Sequence, residues 1–514
     1  MATQSEKLAQ SLEVLEKIRR GGRSAVQSKD LTRTHRERLL AAGFLQEVMK
    51  GWYLCTRPDL AAGESTSWYV SYWGFCADYL NARFGESWYL SPEQSLLLQA
   101  GNRTVPRQLI ARCSRGTNSI VSLPYETTLL PVRANVPEDS DQTMIDGLRV
   151  YSIAAALVSV SPDFFRSHAP EARATLSQIT SASEILPPLL ERGQTTIAGR
   201  LAGAFSNIKR MRVSDDIVKS MRAAGHEIRI SDPFSGELSV ALPPSPSLPH
   251  VDRLRLMWMA MRGDVIDNFL AAPGRILDIA TYLRSVEETY AIDAYHSLSI
   301  EGYQVSRELI ERVRLGAWTP DSNVDDREER NAMAAKGYWQ AFQRVQTSLK
   351  RVLGGENPGT VADEDHGDWY RELFAPSVTA GIVSAGDLAG YRKGPVFIRQ
   401  SRHVPPSSSA ILDLMPAFFE LLSEEDNAAA RVVLGHFVFV NIHPYMDGNG
   451  RIGRFLMNLL LAGGGYPWII VPVGRRGEYM EALEVASIDG DIIPLTRFLA
   501  SLADGLKNEP GRIL

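Results

Sequence analysis

His-Pro-Tyr-Met-Asp-Gly-Asn-Gly-Arg, residues 443–451, separates two helical patterns and is followed by a further arginine, Arg454. The stretch before it, residues 427–441, is apolar and contains one glycine and no proline, which predicts a buried helix. After residue 451 apolar side chains recur at helical spacing, so a second helix is predicted to begin near Asn449. The proline and the glycines predict the loop that joins the two helices.

The residue types in this loop suit the binding of a phosphate compound. The first N–H groups of a helix have no partner within it and lie at the positive end of its dipole, which makes an anion site. Asp447 is a hard oxygen ligand of the kind that Mg²⁺ prefers beside substrate phosphates. Arg451 and Arg454 are three residues apart, hence on one helix face, and suit bidentate phosphate contacts. His443 has the side chain best suited to proton transfer near neutral pH.

Two simpler interpretations of the loop compete with a phosphate site. Asp-Gly-Asn-Gly by itself is an ordinary turn or part of a calcium loop, and a lone histidine beside a helix end is usually structural. The calcium loop is excluded because the later bidentate glutamate is missing and the first ligand position is not acidic. His-Pro before the turn and Arg-x-x-Arg after it favour the phosphate site.

Residues 443–454 resemble the signature of the Fic family, His-Pro-Phe-x-Asp/Glu-Gly-Asn-Gly-Arg-x-x-Arg, with Tyr445 in place of the usual phenylalanine. Members of that family mostly transfer AMP from ATP to a hydroxyl group of a target protein, with Mg²⁺. By this resemblance His443 would deprotonate the hydroxyl and Asp447 would hold Mg²⁺ between the α- and β-phosphates. The phosphates would be cradled by Gly448, Asn449, Gly450 and Arg451. The phosphotransferase branch of the family typically has lysine at position 450, so glycine there favours nucleotidyl transfer.

Length and composition indicate a globular protein of two to four domains, with 514 residues, 44% hydrophobic and 22% charged. The net charge of −5 excludes an overall charge excess of the kind that binds nucleic acid. Three unclustered cysteines argue against a disulfide framework or a zinc site and suit a reducing compartment. No run of eighteen apolar residues and no signal peptide is visible, so we expect a cytoplasmic protein without a membrane partner.

Residues 1–60 carry 11 Lys+Arg against 7 Asp+Glu, a net charge of +4. A helical stripe near residues 8–18, a basic helix over 30–40 and a hairpin over 44–53 follow the order of a winged helix-turn-helix. Residues 39–54 and, more loosely, 88–106 resemble the N-terminal module of AbiEi-type antitoxins, a DNA-binding autoregulator. DNA is therefore a predicted partner, and the alternative is a solvated basic helix in a small globular module.

The remaining chain is predicted to be mainly α-helical. We expect an α/β module over residues 61–231, a linker rich in proline and serine over 232–250, and a Fic region over 251–510. The family core would span about residues 360–502. The predicted fold is thus an all-α Fic core with a small β-hairpin flap, preceded by an α+β winged-helix-like region.

Ser297 and Glu301 are four residues apart before Gly302, a pattern that by itself is most often an ordinary capped helix. In a chain with the Fic loop it resembles the family's inhibitory motif, Ser/Thr-x-x-x-Glu-Gly/Asn, on a helix near residues 290–302. The resemblance implies that Glu301 pairs with Arg454, the arginine needed by the γ-phosphate, and holds ATP in an unreactive pose.

Two further segments resemble parts of the same family. The short β-like run Val396, Phe397, Ile398 and Arg399 resembles the flap that holds the target chain in extended form, which would use main-chain hydrogen bonds. Tyr479 is predicted to line the adenine pocket, although a buried tyrosine on a helix is equally often part of the core. His403 and His436 match no family role and are interpreted as structural.

The sequence thus predicts a protein adenylyltransferase that uses ATP and Mg²⁺ to modify a Ser, Thr or Tyr hydroxyl of a target protein or of itself, inhibited by Glu301. Two alternatives stay open. One is a DNA-binding regulator or antitoxin-like protein whose Fic region senses nucleotide or modifies only itself. The other keeps the fold and removes AMP or transfers another phosphate-linked group. A dimer is compatible with the sequence.

Overall fold

The computed structural model describes residues 3–20, 25–56, 65–234, 248–317 and 326–505. Two compact units make up the chain, Met1–Arg253 with Phe397–Val404 and Leu254–Val396 with Pro405–Leu514. The domain limits given above stay a prediction, and most of the expected linker at 232–250 lies outside the described residues.

The first unit begins with a small module of two helices and three strands: α1 (Gln4–Arg20), β1 (Ala25–Gln27), α2 (Arg33–Ala41), β2 (Leu45–Met49) and β3 (Trp52–Cys55). The strands form an antiparallel sheet in the order β1-β3-β2, and Gly51 turns the chain between β2 and β3 with φ +84°. Leu39 of the basic helix is fully buried against Val26, Leu45 and Tyr53. The predicted helices and hairpin are confirmed, whereas the three-residue β1 is too short for its periodicity to be seen in the sequence.

An aromatic helix and a mixed sheet form the next part of this unit: α3 (Thr66–Phe84), β4 (Trp88–Leu90), α4 (Pro92–Gln99), β5 (Gln108–Cys113), β6 (Val121–Ser122) and β7 (Thr128–Arg133). The sheet order is β4-β5-β7-β6, with β5 and β7 parallel. A hairpin and six helices complete it: β8 (Gln142–Ile145), β9 (Leu148–Tyr151), α5 (Ile153–Ser159), α6 (Phe164–Ser167), α7 (Ala169–Leu176), α8 (Leu186–Glu191), α9 (Thr195–Asn207) and α10 (Met211–Ala223). Cys76 and Cys113 are buried, Cys55 is half-buried, and no disulfide joins these three described cysteines.

The second unit is helical. Its helices are α11 (Pro249–Asn268, which begins in the first unit), α12 (Ile279–Ile300), α13 (Arg307–Arg314), α14 (Asp326–Leu353), α15 (Pro358–Thr379), α16 (Ser408–Glu424), α17 (Ala428–Ile442), α18 (Asn449–Gly463), α19 (Arg476–Ile488) and α20 (Ile493–Gly505). Nearly every residue of α17 and α18 is buried, so these two helices form the centre of the unit. The mainly α-helical fold and both helices around the loop 443–448 are confirmed. Within the part of the chain that the structure describes, no helix is both long and apolar enough to cross a bilayer.

The β-hairpin predicted as a flap is wrong, because no residue of the described segment 391–406 is in a strand. Val396, Phe397, Ile398 and Arg399 follow an extended path that ends in a turn, where the N–H of Ser401 donates to the carbonyl of Ile398. Prolines at 395, 405 and 406 lack the N–H that a strand ladder requires.

Residues Phe397–Val404 belong instead to the first unit. There the N–H of Val105 donates to the carbonyl of Arg402 at 2.9 Å, and Nε of Arg402 donates back to the carbonyl of Val105 at 3.0 Å. Arg402 therefore bonds to a residue 297 positions away and not to a neighbouring hairpin strand.

Candidate active site

The loop between α17 and α18 leaves the first turn of α18 without a side-chain cap among the described residues. Gly448 is the N-cap, with φ +80° and ψ 2°, and it has no side chain to cover the N–H groups that follow. A Cβ at this position would lie 2.8 Å from Cε2 of Phe374, so both the backbone conformation and the packing require glycine. The result is a 15-residue helix whose positive end is bare.

Asn449 fixes the shape of the loop. Its Oδ1 accepts from the N–H of Tyr445 at 2.8 Å, and its Nδ2 donates to the carbonyl of the same residue at 2.8 Å. Tyr445 is buried, and its ring stacks on that of Tyr370 with 3.8 Å between ring centroids. The prediction that Asn449 cradles phosphates therefore concerns its main chain, because its side chain is used within the loop.

His443 ends α17 in the left-handed conformation, with φ 56° and ψ 61°. Its Nδ1 lies 3.1 Å from the carbonyl of Val440, which only accepts hydrogen bonds, so this nitrogen carries the proton of the neutral ring. The other nitrogen, Nε2, then holds a lone pair. Burial of the imidazole lowers the pKa of His443 to about 4, and the positive charge of Arg392 acts in the same direction. The ring is neutral at pH 7.

Asp447 and Arg451 form an ion pair beside the bare helix end. The carboxylate of Asp447 is 64% exposed, accepts from the N–H of Gly448 at 2.6 Å and is 3.3 Å from Nη2 of Arg451. The guanidinium of Arg451 is buried between the rings of Tyr303 and Phe374, at 5.3 and 5.1 Å. Its Nε has no hydrogen-bond partner among the described residues, so a buried donor is available for an anion.

Arg454 forms the contacts expected from the resemblance. Its Nη2 donates to Oε1 of Glu301 at 2.8 Å, and its Nε and Nη2 donate to the hydroxyl and the carbonyl of Ser297 at 2.9 and 3.0 Å. Glu301 ends α12, where Gly302 with φ +88° and Tyr303 return their N–H groups to the last turn. A Cβ on Gly450 would lie 2.3 Å from Oε1 of Glu301. The Glu301 carboxylate thus lies beside the first turn of α18, on Arg454.

A cavity of about 470 Å³ opens beside this helix end. Asp447 and Arg451 lie on its wall, together with Tyr303 after the end of α12 and Arg330 of α14. Helix α15 and the residue after it contribute Leu373, Phe374, Ser377 and Ala380. His443 is not among the lining residues. The structure therefore brings Asp447 and Arg451 to one cavity, and Ser297, Glu301 and Arg454 to one ion-pair cluster.

Tyr479 lies in the core, which is one of the two placements that the sequence leaves open for it. It is 2% exposed, and its hydroxyl is 2.8 Å from Nε2 of His436, whose Nδ1 is 2.9 Å from the carbonyl of Gly453. Since Nδ1 faces an acceptor, Nε2 of His436 accepts from the tyrosine. Tyr479 is a core residue in this conformation, and its placement gives no support to a contact with adenine. The structural interpretation of His436 agrees with its complete burial.

Arg392 and Tyr303 are two residues of the site that the sequence reasoning missed. Arg392 donates to the carbonyl of His443 at 2.8 Å, and Tyr303 packs on Arg451. Both contacts join residues more than 50 positions apart, so a local sequence pattern does not predict them. The one available signal for Tyr303 is its place directly after the Glu-Gly of the inhibitory motif.

The donor set fits Mg²⁺ bound jointly with phosphates. No cluster of three or more His, Cys, Asp or Glu side chains able to hold a metal ion occurs among the described residues, so a cage made of protein alone is absent from that part. A single exposed carboxylate, Asp447, beside a bare helix end suits Mg²⁺, which takes few protein ligands and completes its shell with phosphate oxygens and water.

Residues 365–461 match the sequence profile of the Fic/DOC family, so the chain carries a Fic/DOC domain. It is 30% identical over 229 residues to the protein adenylyltransferase Fic of Drosophila virilis, across 43% of this chain and 42% of that protein. The corresponding protein of Drosophila grimshawi is 30% identical over 233 residues, 44% of each chain. The chain thus spans less than half the length of these curated relatives. A solved structure of Fic-1 from C. elegans, residues 134–508, is similar with a TM-score of 0.36 and 19% identity, over 66% of this chain and 94% of that one.

Proposed function

We propose that this protein is a protein adenylyltransferase that transfers AMP from ATP to a Ser, Thr or Tyr hydroxyl of a protein target, which includes the protein itself. The observation that carries the proposal is the neutral His443, with Nδ1 on the carbonyl of Val440 and Nε2 unprotonated, on the loop that leads into the bare N-terminus of α18. A general base and an anion site on one short loop are what nucleotidyl transfer requires. The similarity to named adenylyltransferases supports the same reaction.

In the proposed reaction the hydroxyl oxygen attacks the α-phosphorus of ATP, and the bond from that phosphorus to the pyrophosphate oxygen breaks. Nε2 of His443 accepts the hydroxyl proton, and pyrophosphate leaves with the electron pair of the broken bond. The first N–H groups of α18, with Arg451 and Arg454, hold the phosphates. Asp447 would hold Mg²⁺, which when bound neutralises phosphate charge. Glycine at position 450, in place of the lysine typical of the family's phosphotransferase branch, favours nucleotidyl over phosphoryl transfer.

We further propose that Glu301 inhibits this reaction. Its carboxylate lies against the first turn of α18 and on Arg454, and it therefore competes with phosphate oxygens for the same cations and N–H groups. Glu301 also caps the C-terminus of α12, where the helix dipole disfavours an anion, so the pair with Arg454 offsets an unfavourable position.

Replacement of this glutamate tests both parts of the proposal. Purified Glu301→Gly protein incubated with ATP and Mg²⁺ should gain the mass of an adenylyl group at least about tenfold faster than wild type, the equivalent of about 1.4 kcal/mol. Glu308→Gly removes an exposed glutamate of α13 and should behave as wild type. Equal rates in all three proteins would remove the inhibitory role, and the absence of adducts on the protein and on added protein substrates would contradict the transferase.

A second candidate function is DNA binding by the module of α1, α2 and the three-stranded sheet. The observation that favours it is the solvent exposure of the basic helix α2, where the side chain of Arg33 is 83% exposed and Arg36 is also on the surface. Exposed arginines on a short helix beside a hairpin suit contacts to a phosphate backbone. A gel shift of the full chain on duplex DNA from its own promoter tests this function, and failure to bind at low salt would contradict it.

A further inference from the structure

Arg392 is a buried arginine whose side-chain hydrogen bonds, among the described residues, all go to main-chain carbonyls. It is 4% exposed. Its Nε donates to the carbonyl of His443 at 2.8 Å, Nη1 to that of Gly394 at 3.0 Å and Nη2 to that of Pro406 at 2.5 Å. The N–H of Arg392 donates to the carbonyl of Pro444 at 2.9 Å. Neutral acceptors on three sides replace the carboxylate that usually accompanies a buried arginine.

Two of these contacts fix the peptide units directly after α17. His443 is a residue other than glycine in the left-handed region, a conformation that costs free energy and persists only where surrounding contacts impose it. Its N–H is bound to the carbonyl of Phe439 and its Nδ1 to that of Val440, which leaves its own carbonyl as the free end of the turn. Arg392 binds that carbonyl and the next one, and so sets the direction in which the imidazole leaves the helix.

The other two contacts lie at both ends of one segment. Gly394 and Pro406 flank residues 395–405. One guanidinium therefore holds the histidine turn and both ends of this segment in a fixed mutual geometry.

We infer that Arg392 is a positioning residue for AMP transfer, which fixes the turn at His443 and thereby the direction of its imidazole. The inference rests on the proposed role of His443 as the base. Among the described residues, the hydrogen bonds of Arg392 go to His443, Pro444, Gly394 and Pro406 and not to α18 or Asp447, so it acts on the alignment of the base and not on nucleotide binding. Lysine cannot replace it, because one ammonium group lacks the planar fork that reaches three divergent carbonyls.

The first test measures AMP transfer by Arg392→Met and Arg392→Lys in the Glu301→Gly background. We expect kcat to fall about 100-fold in both variants, since a misplacement of about 1 Å costs that much, while KM for ATP stays within about threefold. The matched control is Arg431→Met, which removes another guanidinium that donates to a main-chain carbonyl, that of Glu425, about 18 Å along α17 from His443. An unchanged kcat in the Arg392 variants, or an equal loss in the control, would overturn the inference.

A second test does not depend on activity. The imidazole of His443 is followed by NMR in protein labelled at histidine and is assigned by comparison with His443→Gln. The charged groups that face it are Arg392, Glu301 and Asp447. In Arg392→Met the signal should move and its titration midpoint should rise, because a positive neighbour is lost and the ring gains freedom. An imidazole signal that does not move in Arg392→Met would overturn the positioning role of Arg392. A Glu301→Gly protein that transfers no AMP would instead refute the proposed function, and the NMR result would still be interpretable.

Discussion

Arginines occur both at the start of α18 and on the basic helix α2, but they differ in burial and in their partners. This difference distinguishes a binding site from a solvent-exposed helix face. Arg451 and Arg454 are 1% and 4% exposed, packed between aromatic rings or held by three hydrogen bonds. Arg33 is 83% exposed, and its partner Glu37, one turn later, is 58% exposed. Buried cations impose a cost that only a ligand or a fixed partner offsets, whereas an exposed pair of this kind contributes little in either direction. Substitutions in the first region should therefore have large and specific effects, and those in the second small and additive ones.

The largest effect is expected at His443. His443→Ala in the Glu301→Gly background should lower the rate of AMP transfer by about 10²- to 10⁴-fold, because the hydroxyl loses its proton acceptor. Binding of ATP, measured by calorimetry, should be unchanged, since the phosphate contacts remain. His226→Ala, in the first unit, is the control. A variant of His443 that transfers AMP at the parental rate would rule out its role as base.

The next effect concerns pH. With the pKa of His443 lowered to about 4 by burial, the ring is already neutral at pH 5.5, and kcat/KM should differ less than about twofold between pH 5.5 and 7.5. A histidine with the ordinary pKa near 6.5 would instead lose about tenfold at the lower pH. Rates in buffers of constant ionic strength distinguish the two profiles, and a steep fall below pH 6.5 would show that the imidazole is not desolvated during the reaction.

A third prediction compares two asparagines with the same hydrogen-bond pattern. Asn449 binds the N–H and carbonyl of Tyr445, and Asn458 binds those of Ile469; both asparagines are 2% exposed. Replacing either by alanine should lower the free energy of unfolding of its unit by about 2–3 kcal/mol, because buried main-chain groups lose their partners.

Thermal unfolding followed by circular dichroism should show similar shifts for both asparagine variants. Only Asn449→Ala, which releases the loop before α18, should also weaken ATP binding. If Asn458→Ala weakened it to the same degree, the loop would have no special part in the site.

The smallest effect belongs to α2. Arg33→Ala and Arg36→Ala should each weaken binding to duplex DNA by a few-fold at about 0.1 M salt and reduce the slope of log affinity against log salt by about 1, since each removes one phosphate contact. Fluorescence anisotropy at several salt concentrations measures both quantities. Arg222→Ala, at the exposed end of α10, is the control. A slope unchanged by either α2 substitution would show that this helix does not contact the DNA.

The sequence predicts the helices and the loop of the site because apolar periodicity, glycine and proline act locally. The start of α18 at Asn449 and the end of α12 at Glu301 are recovered for that reason. The pair of Glu301 with Arg454 joins residues 153 positions apart, and it was reached only through the family resemblance.

Other parts of the site depend on contacts that no local pattern encodes. The side-chain amide of Asn449 hydrogen-bonds within its own loop, and the hydroxyl of Tyr479 hydrogen-bonds to the buried His436. Arg392 donates hydrogen bonds to four main-chain carbonyls. The expected hairpin fails for a related reason. A β-like run specifies an extended chain, but packing decides its hydrogen-bond partners, and here the residue that bonds to a distant segment is Arg402, which binds Val105.

AMP transfer by this protein is tested by comparing ATP labelled at the α-phosphate with ATP labelled at the γ-phosphate, using Glu301→Gly protein and Mg²⁺. Label from the α-position should become covalently attached to protein, and label from the γ-position should not. Attachment of the γ-label would make this a phosphotransferase, and attachment of neither label would show that the bare end of α18 does not support group transfer.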